Sequence, residues 1–202
     1  GCGSDGGSPT ADATTVVAST AEAGGTTAPT TPAGLGEGFA PERDGRAPLA
    51  GFGEAAATVT APDGTTCEVC LLLAATDAQR ERGLMEVTDP ELGGYDGMLF
   101  RFPDPKDGGF WMRNTPMPLS IAYADASGTV FQVEDMVPCS DDPSCPSYPA
   151  EQAFGLVLEV PQGRLDDLAV EEGSTIVITA ERCPLASAGS TARPRIFGPP
   201  VR

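Results

Sequence analysis

The stretch that decides the fold is Ala57-Thr58-Val59-Thr60-Ala61-Pro62-Asp63-Gly64-Thr65-Thr66-Cys67-Glu68-Val69-Cys70-Leu71-Leu72-Leu73-Ala74. Two runs of β-branched and apolar residues flank Pro62-Asp63-Gly64. In that triplet Pro presets φ, Asp bonds its own backbone and Gly supplies a positive φ. Together they predict a β-hairpin. Thr76-Asp77-Ala78-Gln79 follows with the spacing of a capping box, Thr76 as N-cap and Gln79 at the third helical position. A short helix is expected to about Arg82, where Gly83 can end it. Further on, short strands are expected at Met98–Phe102, Phe110–Asn114, Leu119–Ala124, Thr129–Val137, Phe154–Val160 and Ser174–Glu181. Loops are expected at 103–109 and 139–145, and a short helical turn within Gly163–Val170. This pattern predicts a mainly β (α+β) domain, a small barrel-like or sandwich arrangement of about seven strands with one or two short helices.

Outward from this core the composition changes. Residues 1–50 contain 36 Gly, Ala, Ser, Thr or Pro and a single aromatic, Phe39. Such a chain cannot bury enough apolar surface to offset the entropy of ordering it. The opening Gly1-Cys2-Gly3-Ser4 has the form of a lipoprotein start, a small residue before the cysteine that is acylated. Cys2 is therefore the expected lipid attachment site, and residues 1–53 are expected to be a disordered tether. By random-coil scaling fifty such residues reach roughly 35–40 Å, enough to hold a domain clear of a membrane. The folded domain is expected over 54–185 and a flexible C-terminal tail over 186–202.

The 202 residues include no histidine. A Ser-His-Asp triad, a Cys-His dyad and histidine-ligated zinc or haem are thereby excluded. Acid–base chemistry near neutral pH would fall to a shifted carboxylate, thiol or tyrosine. The net charge of −17 repels phosphate backbones, so no nucleic-acid partner is expected. The longest apolar run, Val69–Ala75, is far short of the roughly 20 residues that cross a bilayer. No metal and no cofactor are expected.

Five cysteines remain besides Cys2. Cys139-Ser-Asp-Asp-Pro-Ser-Cys145 is a short polar loop, and its two cysteines suggest a disulfide and an oxidising compartment. Cys67-Glu-Val-Cys70 has redox spacing, but it lies within an expected strand, where residues i and i+3 point to opposite faces. One of that pair is therefore expected to bond Cys183, and the leftover thiol to stay free or pair outside the chain.

Five blocks then come in a characteristic order: Thr76-x-x-Gln79-Arg80-x-Arg82-Gly83-Leu84-Met85; Gly97-Met98-Leu99-Phe100-x-Phe102; Phe110-Trp111-Met112-Arg113-Asn114-Thr115; Met117-Pro118-Leu119; Leu158-Glu159-Val160. Over about residues 66–181 the chain resembles the Domain of Unknown Function 192 family, as a secreted member. The resemblance implies a small β-rich fold, often exported, and assigns no activity. The family often carries Asp after the Pro-Leu step, where this chain has Ser120. A site built on that carboxylate would be impaired or absent here.

Glu159 interrupts Leu156-Val157-Leu158 and Val160, so a buried charge is expected there. Such a charge needs a partner. A structural polar network of Arg82, Asn114 and Glu159 is one reading; a ligand-binding or catalytic carboxylate is the other. Strand alternation would put Trp111, Arg113 and Thr115 on one face, suited to a small polar ligand such as a sugar or to a protein partner. The resulting expectation is an extracytoplasmic, membrane-tethered binding or accessory module, possible partners being an envelope or membrane protein. The alternative is a carboxylate-dependent enzyme acting on glycans, which needs two facing acids.

Overall fold

The computed structural model describes residues 38–40, 42 and 45–184. Cys2, most of the proposed tether and the tail from 186 onward lie outside the described residues. The hairpin forms as its sequence dictates. β1 (Gly53–Thr60) pairs antiparallel with β2 (Thr66–Ala74) in unbroken register from Gly53↔Leu73 to Thr60↔Thr66. At its turn the Asp63 carboxylate accepts from the Thr65 backbone N–H, and Gly64 takes φ 88°. That hydrogen bond holds the Asp63 carboxyl below its ordinary range.

Helix α1 (Asp77–Arg82) follows with both bonds of the capping box formed and with Gly83 as its C-cap. After it the chain crosses over, so that β3 (Gly97–Lys106) lies parallel to β2. The remaining strands are β4 (Gly109–Trp111), β5 (Leu119–Ala124), β6 (Val130–Met136), β7 (Ser147–Pro149), β8 (Phe154–Pro161) and β9 (Thr175–Ala180). Seven of them form one mixed sheet in the order β6-β5-β8-β3-β2-β1-β9, and β4 and β7 form a separate two-stranded ribbon. The sheet curls until its edges approach at a single bridge, Thr129↔Thr175, and does not close into a barrel. The domain is mainly β and sandwich-like.

Each face of the sheet has its own core. One carries small and branched side chains (Ala55, Ala57, Val59, Ala122, Ala124, Leu158 and Ile176 among them) and is closed by Leu165, Leu168 and Val170. The other carries larger ones (Leu72, Met98, Phe100, Ile121, Tyr123, Val157), covered by Leu84, Val87, Leu92 and Tyr95 of the crossover and by Met112, Met117 and Tyr148 around the ribbon. Cys67 belongs to the first core and Cys70 to the second, the opposite-face placement that strand geometry requires.

Four expectations change. Packing begins before residue 54: Ala47 and Leu49 are buried, the Ala47 N–H donates to the Gly93 carbonyl, and Phe52 packs on the larger core. A few apolar residues at the end of a Gly/Ala/Thr/Pro-rich stretch suffice for this, and average composition hides them. The strand expected over Phe110–Asn114 stops at Trp111, because Met112–Thr115 is a turn in which the Thr115 N–H donates to the Met112 carbonyl and Asn114 takes φ 56°. β3 runs on to Lys106 through a stretch expected to be a loop; its pairing with β8 breaks between Arg101 and Lys106, where Pro103 and Pro105 offer no N–H. Finally, Cys183 bonds Cys70 and Cys139 bonds Cys145 as expected, but none of the described cysteines is free, so the leftover thiol is not found among them.

Candidate functional site

Glu159 lies in the middle of the sheet. β8 runs between β3 and β5, and Glu159 is in register with Met98 on one side and Ile121 on the other, both fully buried. Alternation along β8 puts it on the same face as Val157, toward the larger core. Only 4% of the residue is exposed. The expected arginine partner is absent among the described residues. Among the described residues no ion pair or hydrogen bond reaches its carboxylate. Burial alone pushes its carboxyl up from the ordinary 4.5 to about 8. At neutral pH Glu159 is therefore mostly a neutral acid, able to donate one hydrogen bond and to accept others.

The side chain opens into a cavity of about 440 Å³. Phe100, Phe102, Phe110 and Phe154 form its walls, Thr115 lines it together with Glu159, and Trp111, 55% exposed, stands at its mouth. The walls are a continuous aromatic cluster. Phe100 meets Phe110 edge to face at 4.9 Å, Phe102 meets Phe154 at 5.1 Å, and Phe110 and Phe154 are tilted at 6.1 Å. Tyr123 continues the cluster beneath, donates its hydroxyl to the Tyr148 carbonyl, and has its phenol pushed up chiefly by burial.

The rim is charged and balanced, with Asp77, Glu81 and Asp107 against Arg80, Arg82 and Lys106. Two of these cations are already engaged. Arg80 donates to the Ala75 and Arg101 carbonyls, pairs with Asp77 and lies 4.9 Å over the Phe102 ring. Arg82 donates to the Ala50 carbonyl and lies 5.2 Å over Phe52, so it anchors the N-terminal segment.

The proposed network of Arg82, Asn114 and Glu159 is thus not formed. Asn114 serves the Met112–Thr115 turn, where its carbonyl accepts from the Glu86 N–H. Its type suits a left-handed conformation. The expected face of Trp111, Arg113 and Thr115 divides for the same reason, since alternation ends where the strand ends. Trp111 and Thr115 line the cavity, whereas Arg113 turns away to Asp141 in the disulfide loop. Thr115 is tied to that loop as well, its carbonyl accepting from the Cys139 N–H. The four phenylalanines were not singled out from the sequence. The Phe100-x-Phe102 spacing does place two of them on one strand face, and that was the available signal. Ser120, where the family often has Asp, lies apart from the cavity. Its hydroxyl donates to Asp135 at 2.5 Å and accepts from the Gly163 N–H.

A curled mixed sheet with one buried acid under an aromatic cavity is the architecture to set beside known proteins. The family model for DUF192, described as an uncharacterized ACR, matches residues 58–178, and the chain belongs to that family. Two solved structures share the fold. A protein of unknown function from Novosphingobium aromaticivorans DSM 12444 is 29% identical, the match covering 76% of this chain and 99% of that one with a TM-score of 0.54. A "putative transcription regulator" from Sinorhizobium meliloti 1021 is 24% identical over 63% of this chain and 95% of that one, with a TM-score of 0.53. No curated protein matches.

Proposed function

We propose that this chain is an extracytoplasmic, lipid-anchored binding module that holds a small ligand in the Glu159 cavity. The observation that carries the reading is Glu159 itself, an acid with no partner among the described residues, in the middle of a sheet and facing a space of ligand size. A group with no structural partner there is a cost to folding, and such groups concentrate at functional sites. The aromatic walls would take the apolar body of a ligand, and Glu159 and Thr115 would fix its polar end. An envelope or membrane protein could supply or receive that ligand. The two disulfides agree with an oxidising compartment. No helix among the described residues is long and apolar enough to cross a membrane, and the anchor in this reading is a lipid on Cys2. The net charge of −17 argues against a nucleic-acid partner.

Trp111 is the only tryptophan in the chain, so intrinsic fluorescence reports directly on the cavity mouth. Titrations with neutral sugars, small ammonium ions and small carboxylates should give saturable changes with at least one class. No change with any class would overturn the binding reading. Mass spectrometry of the native N-terminal peptide tests the anchor, with a lipid on Cys2 expected. An unmodified Cys2, or one held in a disulfide, would contradict it.

A second reading, a carboxylate enzyme acting on glycans, draws on one observation: Asp77, Glu81 and Asp107 line the same cavity as the protonated Glu159. Such an enzyme would shorten chitooligosaccharides on incubation, whereas a binding module would return them intact.

A further inference from the structure

We propose that the ligand of the Glu159 cavity is an organic ammonium ion, its cationic head against the Glu159 carboxylate and its carbon skeleton among the phenylalanine rings. The inference rests on the reading of this cavity as a ligand site and names the chemical class it takes. Three features point the same way. First, the only ionisable side chain at the floor is an acid with no cation of its own among the described residues, so an entering cation can take its carboxylate without displacing another. Secondly, the walls are aromatic, and ring faces attract cations that have weak hydration shells, organic ammonium ions above all. The protein already uses one wall in this way, since the Arg80 guanidinium lies over Phe102. Thirdly, the chain carries a net charge of −17, which draws cations toward it and disfavours anions.

The charges that face Glu159 do not reverse this. From α1 come Asp77, Arg80, Glu81 and Arg82, and from the segment between β3 and β4 come Lys106 and Asp107. These sum to zero, and both arginines, including the largely buried Arg80, are held by backbone carbonyls. From β5 comes the Tyr123 phenol, whose hydroxyl is occupied by Tyr148. Glu159 is therefore the one group whose charge changes at the floor.

A testable sign follows from its protonation. In the empty cavity the carboxyl holds its proton until about pH 8. An ammonium ion needs the carboxylate, so binding sends that proton to solvent. Affinity must then rise with pH, by about tenfold per unit below pH 8, and level off above it. A neutral ligand that accepts a hydrogen bond from the acid, or an anion, would show the opposite slope.

Choline is a suitable probe because its charge is fixed at every pH, and 3,3-dimethyl-1-butanol has its shape without the charge. Titration of the full chain, followed by Trp111 fluorescence between pH 6 and 9, should show choline binding that tightens with pH and the alcohol binding at least tenfold more weakly. Calorimetry at pH 7 in two buffers of different ionisation enthalpy should find about one proton released per choline, a test that needs no variant. Glu159→Gln should weaken choline at least tenfold at pH 9 and abolish the pH dependence. Equal binding of the alcohol, an affinity that falls with pH, or binding of sugars or carboxylates in place of choline would overturn the ammonium proposal and leave the binding module standing. Silence toward every class would overturn both.

Discussion

At the scale of the residue, Glu159 is a local conflict between fold and charge. Removing a carboxylate from water without a partner disfavours the ionised form, so the folded protein keeps the proton that the unfolded chain releases near pH 4.5. Below pH 4.5 both states are protonated and the residue contributes no pH dependence. Between about pH 4.5 and 8 the unfolded state ionises and the folded state does not, so stability falls as pH rises, then levels off. Glu159→Gln keeps the shape and removes the titration. Its melting temperature should match that of the natural protein near pH 4 and exceed it by a margin that grows to about pH 8. Thermal melts of both proteins at pH 4, 6 and 8.5 check this. A Glu159→Gln protein that melts many degrees lower at every pH would mean that the carboxyl has a partner after all. The sequence made the oddity visible, because a charge inside Leu-Val-Leu-Glu-Val stands out. Its missing partner was not visible. Pairing with arginine is the usual solution, and whether Arg82 turns inward or toward Ala50 depends on an N-terminal segment far away in the chain.

At the scale of the element, local chemistry was the most legible. The hairpin, the Thr76–Gln79 capping box and β5 appear where their residues place them, since each is specified by neighbours in sequence. What could not be read was set by contacts distant in sequence. Phe110 and Trp111 favour a strand and nothing before Asn114 stops one, yet β4 ends at Trp111, where the three-residue partner β7 ends its pairing with Ser147. Gly97 shows how tight the pairing is around the site. A Cβ there would lie 2.6 Å from the Glu159 carbonyl oxygen and 2.8 Å from a Val160 methyl. Gly97→Ala must push β3 from β8 or shift both, and overpacking of this kind costs about 1–3 kcal/mol. Urea unfolding should show that loss, and the displaced floor should weaken any ligand of the cavity. An unchanged midpoint would mean that the two strands separate without cost.

At the scale of the whole molecule, the fold is held by a long clasp as well as by its two cores. Cys70–Cys183 ties β2 to the chain beyond β9 across 113 residues, whereas Cys139–Cys145 closes a loop of six. In the chain-entropy view these closures are worth about 5 and about 2 kcal/mol. Replacing both cysteines of the long clasp by alanine should therefore lower the melting temperature about twice as far as replacing those of the short one. Equal losses would place the stabilisation in local packing. The mainly β class was legible because strand signals recur along the chain. The order β6-β5-β8-β3-β2-β1-β9 was not, because a parallel crossover from β2 to β3 and the insertion of β8 between β3 and β5 leave no mark in local pattern. The aromatic cavity is a product of that order. It exists only because β3, β8 and the β4–β7 ribbon meet, which brings Phe100, Phe110 and Phe154 around Glu159.

Glu159 is buried, without a partner among the described residues and protonated at neutral pH, and carbon-13 NMR of the glutamate carboxyl groups observes this state directly, with Glu159→Gln assigning the resonance. The titration midpoint of Glu159 in the ligand-free protein should lie near pH 8. A midpoint near 4.5 would show the carboxylate paired or hydrated, and would contradict the site described for this protein.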